Sequence, residues 1–141
     1  MTGAAGFPAA GAAGGYGYTV PVLRLGDILL VTLQGELHDG MAEQLQHDIT
    51  DRIAHSRVTG VVIDISGVEI VDSFLGRVLA EIAAGAELLA ARTVLAGMRP
   101  AVAITLVELG LTLPGLRTAL DVERAMELLT GDPRDGEGSP S

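Results

Sequence analysis

Five consecutive residues near the middle of the chain, Val61-Val62-Ile63-Asp64-Ile65, constrain the fold more than any other feature. The run is β-branched and apolar without alternation up to its acid, the pattern of a strand covered on both faces. A strand of that kind belongs to a largely parallel sheet flanked by helices, which makes the chain an α/β protein. Its neighbours agree. Upstream, Leu45, Ile49 and Ile53 recur every four residues and predict an amphipathic helix over about Asp39 to Arg57, opened by a capping Asp39 and broken by Gly60. Downstream, beyond a loop from Ser66 to Val71, Leu75, Val78, Leu79, Ile82 and Ala86 lie at helical spacing and predict a second helix starting near Ser73.

The remaining segments extend the same alternation. Val22 to Leu25 and Ile28 to Gln34, separated by Gly26-Asp27, read as a hairpin. Thr93 to Ala96 make a short strand, and Pro100 suits the first turn of a helix running through Ala101 to Leu109 up to Gly110. That helix is apolar nearly all round, so Ile104 and Val107 cannot both face inward with Val102, Leu106 and Leu109, and it is either wholly buried or offers a face to a partner. Leu116 to Leu120 read as an edge strand, and Asp121 caps a last helix with Val122, Ala125, Met126 and Leu129 inward. The sum is one domain over residues 20–130. Its mixed central sheet is mostly parallel, with an N-terminal hairpin, and is packed by about four helices. Residues 1–19, rich in Gly and Ala, and residues 131–141 have the composition of flexible tails.

Bulk properties narrow the function. Hydrophobic residues make up 48% of the chain and mean hydropathy is +0.42, yet Asp, Glu or Arg interrupts every apolar run before the roughly 18 residues a spanning helix needs. With no secretory signal pattern and no cysteine, a cytoplasmic location is expected. A net charge of -9 disfavours a nucleic-acid partner. All nine basic side chains are arginines, scattered from Arg24 to Arg134, and there is no lysine.

Asp72 and Ser73 stand where the second helix begins. Spacing alone is satisfied if they only cap it. A second reading makes the Ser73 hydroxyl a phosphoacceptor: a helix start presents unpaired amides and the positive end of the dipole, which would hold a phosphate there without unfolding the domain. The modification would bring a charge of about -1.5 to -2 beside Asp72 and repel a partner matched to a neutral hydroxyl. Arg77 lies one turn on, on the same face, followed by Ala80, Glu81 and Ala84, a small and lightly charged side against which a protein could dock. Arg77 reads equally well as a solvated charge or as an intrahelical pair with Glu81. Ser66 is a second candidate acceptor and equally an ordinary turn residue.

The blocks PVLRLGDILLVTLQGEL, GVVIDISGVEIVDSFLGRVL, VLAGMRPAVAITLVELGL and TALDVERAMELL occur in this order and carry a resemblance to STAS domains, the anti-sigma-factor antagonist fold. It covers about Val20 to Thr130, and within the family the RsbS-like scaffold subunits of bacterial stressosomes are most similar. The Gly-rich leader before Tyr18 is not part of that pattern. The resemblance implies a non-enzymatic scaffold and kinase antagonist without cofactor or metal. Ser73 takes the place of the phosphoacceptor serine, Asp72 that of the aspartate before it, and Arg77 joins them on the partner-binding surface. It further implies co-assembly with RsbR-like STAS paralogues, retention of an RsbT-like serine kinase until Ser73 is phosphorylated, and removal of the phosphate by a PP2C-type phosphatase. A free anti-sigma factor antagonist, binding an anti-sigma kinase outside any large assembly, is the alternative.

Two other classes fit poorly. VVIDIS is similar to the acceptor strand of response-regulator receivers, with Asp64 as acceptor, but that chemistry needs a late lysine and an acidic pair after an earlier strand, and here Asp27 precedes one. Asp64 is instead expected to order the loop leading to Ser73. Among enzymes, His38, His47 and His55 lack metal-ligand spacing, Ser73 lacks a nucleophile elbow, and Gly11 to Gly17 does not follow a strand as a phosphate loop must.

Overall fold

The computed structural model describes residues 20–35, 37–110 and 115–131; the two expected tails lie outside them, except for Gly131. Among the described residues nine elements follow in order. They are β1 (Val22–Leu25), β2 (Ile28–Gln34), α1 (Asp39–His55), β3 (Gly60–Gly67), α2 (Ser73–Leu88), β4 (Arg92–Ala96), α3 (Pro100–Glu108), β5 (Leu116–Ala119) and α4 (Val122–Thr130). The strands form one sheet in sequence order. β1 and β2 pair antiparallel around Gly26-Asp27, where Gly26 takes a φ of 65° that suits glycine, and the other three pairings are parallel.

β3 behaves as its composition demands. Val61, Ile63 and Ile65 enter one buried cluster with α1, α2 and α3, while Val62 enters a second with α4 on the opposite face. The β3–α2 loop therefore emerges from a strand buried on both faces, a rigid base for whatever it carries. The register between β2 and β3 slips between Thr32 and Gln34, and pairing resumes between Gln34 and Gly67, so the two strands stay joined to their ends.

Several local expectations need correction. Asp39 is not the cap of α1: His38 takes the extended N-cap conformation without a side-chain bond, and Asp39 lies in the first turn, where its charge complements the dipole. α1 also stops at His55, before Arg57 and well before Gly60. Gly60 instead opens β3, because a Cβ there would lie 2.8 Å from Leu129 Cδ1 of α4; the glycine serves a close approach and breaks no helix. Leu109 does not face inward: Val102 and Leu106 are buried, whereas Leu109, the C-cap residue of α3, is 45% exposed. Gly110 follows at φ 69° as the expected stop.

Candidate functional site

The site is built on the loop between β3 and α2. Asp64, near the end of β3, accepts a hydrogen bond on Oδ1 from the Ser66 amide at 3.0 Å, which turns the chain as the strand ends. Val68 and Val71 are buried and pin the loop from below, and the Val68 amide donates to the Ile65 carbonyl at 3.0 Å. Between these anchors the loop lifts Ile70 into solvent, 83% exposed.

Asp72 then caps α2. Its Oδ1 accepts from the Leu75 amide at 2.9 Å and its carbonyl accepts from Gly76 at 3.1 Å, leaving the amides of Ser73 and Phe74 without a partner among the described residues. Ser73 is consequently the first helical residue and not the cap. Its side chain is exposed and takes no hydrogen bond among the described residues. Once Asp72 has done the capping, nothing structural is left for the Ser73 hydroxyl to do.

Two recesses flank this ridge. One, of about 480 Å³, is bounded by Leu37, His38, Ile70, Asp72 and Leu75. The other, of about 400 Å³, lies between α1 and α2 and is lined by Asp39, Glu43, Phe74, Arg77 and Glu81. Arg77 is exposed, and the intrahelical pair with Glu81 does not form. Glu81 Oε1 accepts from Gln46 Nε2 of α1 at 2.8 Å, so the guanidinium of Arg77 has no partner among the described residues. Ser73 and Arg77 thus share one side of α2, as their spacing requires, while Asp72, the cap at its start, lines the other recess. The histidines gather nowhere: His38 precedes α1, His47 is exposed on it, and His55 Nδ1 lies 3.1 Å from Asp51 at its end.

One participant was not foreseen. Arg99, in the turn after β4, donates from Nε to the Ser66 carbonyl at 2.9 Å and places Nη1 3.8 Å from Glu69 Oε2. The pairing spans more than 30 residues of chain, so no local pattern could have announced it.

The sequence profile of the STAS domain matches residues 19–125. The chain belongs to the STAS domain family. Among solved structures it is similar to a serine-to-glutamate variant of RsbS from Moorella thermoacetica, at 42% identity over 79% of this chain and 95% of that one, with a TM-score of 0.70. It is equally similar to a chain from the molecular architecture of the stressosome, at 43% identity over 79% of this chain and 96% of that one, also with a TM-score of 0.70. Among curated proteins it is 27% identical over 109 residues to the RsbT co-antagonist protein RsbRD of Bacillus subtilis (strain 168), covering 77% of this chain. It spans only 39% of the length of that protein. Among the described residues, no helix is long and apolar enough to cross a membrane.

Proposed function

We propose that this STAS domain, residues 20–130, is an RsbS-like stressosome scaffold and kinase antagonist whose Ser73 hydroxyl is the phosphoacceptor. One observation carries the reading: Asp72 takes the capping role, which leaves the exposed Ser73 hydroxyl uncommitted at the first position of α2. The unmodified chain holds an RsbT-like serine kinase across the ridge between the two recesses, with Arg77 and Asp72 among the contacts. Phosphorylation puts three acceptor oxygens and about two negative charges there. The free amides of Ser73 and Phe74 and the helix dipole keep the phosphate in place. Asp72 beside it adds to the negative field, and a kinase fitted to the neutral hydroxyl is expelled. The released kinase then acts on a downstream phosphatase of the general stress response, and a PP2C-type phosphatase resets Ser73.

Co-assembly with RsbR-like STAS paralogues is part of the same proposal. It is supported by α3, which holds Ile104 at 58% and Val107 at 78% exposure three positions apart on one short helix. The test is to mix the purified chain with an RsbT-like kinase and ATP: label is expected on the wild type and absent from Ser73→Ala, and undiminished label in the variant refutes the assignment. Sizing with an RsbR-like paralogue is expected to give a very large particle. A small species in that experiment, with Ser73 still labelled, supports the free anti-sigma factor antagonist instead.

A further inference from the structure

Arg99 occupies a junction that the reading above leaves unused. Its backbone starts α3, the Arg99 carbonyl accepting from Val102 at 2.9 Å and from Ala103 at 3.0 Å. Its side chain crosses to the end of β3, where Nε donates to the Ser66 carbonyl at 2.9 Å, and Nη1 faces Glu69 of the β3–α2 loop. The turn bearing it also packs on the end of β3: Gly97, at φ 76°, leaves only 2.9 Å between a would-be Cβ and Ser66 Cβ, and its amide is fixed to the Ala119 carbonyl at 3.1 Å. The amide of Ser66 is held from the other side by Asp64. Ser66 is thus gripped at both its N–H and its C=O, and Arg99 supplies the only one of these bonds that comes from outside β3.

We infer that Arg99 is a positioning residue for Ser73: by tying down the carbonyl of Ser66 it fixes the loop that presents Ile70, Asp72 and Ser73 to the kinase. The inference rests on the reading of Ser73 as phosphoacceptor and deepens it. A loop whose residues must be ordered at each encounter binds its enzyme more weakly, whereas one already ordered does not. Once the serine is bound, chemistry proceeds alike in both cases. The signature of a positioning role is therefore a raised KM with an unchanged kcat.

Two measurements on the full chain test this. In Arg99→Ala, amide exchange over residues 67–71 is expected to accelerate about threefold to tenfold, the span that one hydrogen bond provides, with exchange in the core strands β2 and β3 up to Ile65 unchanged. In phosphorylation by an RsbT-like kinase, the same variant is expected to raise KM by a similar factor at constant kcat. Arg99→Lys keeps a cationic donor on a flexible stem and should recover at least part of the difference. Unchanged loop exchange, or acceleration spread evenly through the core, overturns the inference, as does an unaltered KM on a wild type that is labelled at Ser73. A wild type that takes no label refutes the acceptor reading itself, while the exchange experiment still reports on the tie between Arg99 and the loop.

Discussion

Replacing Asp72 separates its structural role from the one proposed for it beside a phosphate on Ser73. The carboxylate accepts one hydrogen bond, from the Leu75 amide at 2.9 Å, and sits at the positive end of a 16-residue helix. Removing an N-cap acceptor costs about 1 kcal/mol, and losing a negative charge at an exposed helix start costs about 0.5 kcal/mol more. Asp72→Ala should therefore lose about 1.5 kcal/mol and Asp72→Asn, which keeps an acceptor oxygen, only about 0.5 kcal/mol. For a urea slope of about 1.5 kcal/mol/M, the midpoints fall by about 1 M and about 0.3 M, respectively. The assay is urea unfolding followed by circular dichroism, on unmodified protein and on protein phosphorylated at Ser73. In the phosphorylated pair the Asn variant should close most of its gap to the wild type, because it no longer sets a carboxylate beside the phosphate. An Ala variant that unfolds within about 0.2 M of wild type would show that Asp72 does not cap α2, and the claim that the Ser73 hydroxyl is left uncommitted would fall with it.

Other consequences follow from single residues. Gly97→Ala forces a side chain into the left-handed region and against Ser66 Cβ at 2.9 Å, and should destabilise the domain by about 2–4 kcal/mol in the same urea assay. Thr93 is buried with its hydroxyl unpartnered among the described residues, so Thr93→Val, nearly isosteric, should leave stability unchanged or raise it by up to about 1 kcal/mol, seen as a higher thermal midpoint. Arg77→Glu reverses a cation that has no partner among the described residues, on the side of α2 proposed to dock the kinase; it should leave the unfolding midpoint within about 0.5 kcal/mol of wild type yet weaken kinase retention at least fivefold in a binding titration.

How much of this was legible follows a physical division. Periodicity reports burial, and burial was read well: the two-faced strand at Val61 to Ile65, the inward stripe of Leu75, Val78, Leu79, Ile82 and Ala86, and the Asp121 cap, which accepts from Arg124 at 2.9 Å, all stand as expected. The sheet with its N-terminal hairpin was equally plain, since Gly26-Asp27 between two apolar runs admits little else. Composition reports backbone preference less well. Asp39 was as good a cap as Asp72 on residue type, but a cap is decided by which residue takes the extended conformation, and at α1 that is His38. Gly60 has the look of a helix breaker, and its real constraint, the side chain of Leu129, is almost seventy residues away. The partners that shape the site are of the same long-range kind. Gln46 with Glu81 and Arg99 with Ser66 are tertiary contacts, and only the second explains why the loop before Ser73 is held.

The central claim is that the chemical state of the Ser73 hydroxyl decides whether the kinase stays. The most direct measurement is the affinity of an RsbT-like kinase for two preparations of the full chain, one unmodified and one stoichiometrically phosphorylated at Ser73, in physiological salt. Loss of a hydrogen-bonded contact together with charge repulsion should weaken binding by about 2 kcal/mol or more, some thirtyfold, with Ser73→Ala binding within a few-fold of the unmodified chain. Equal affinity of the kinase for the two preparations would contradict it.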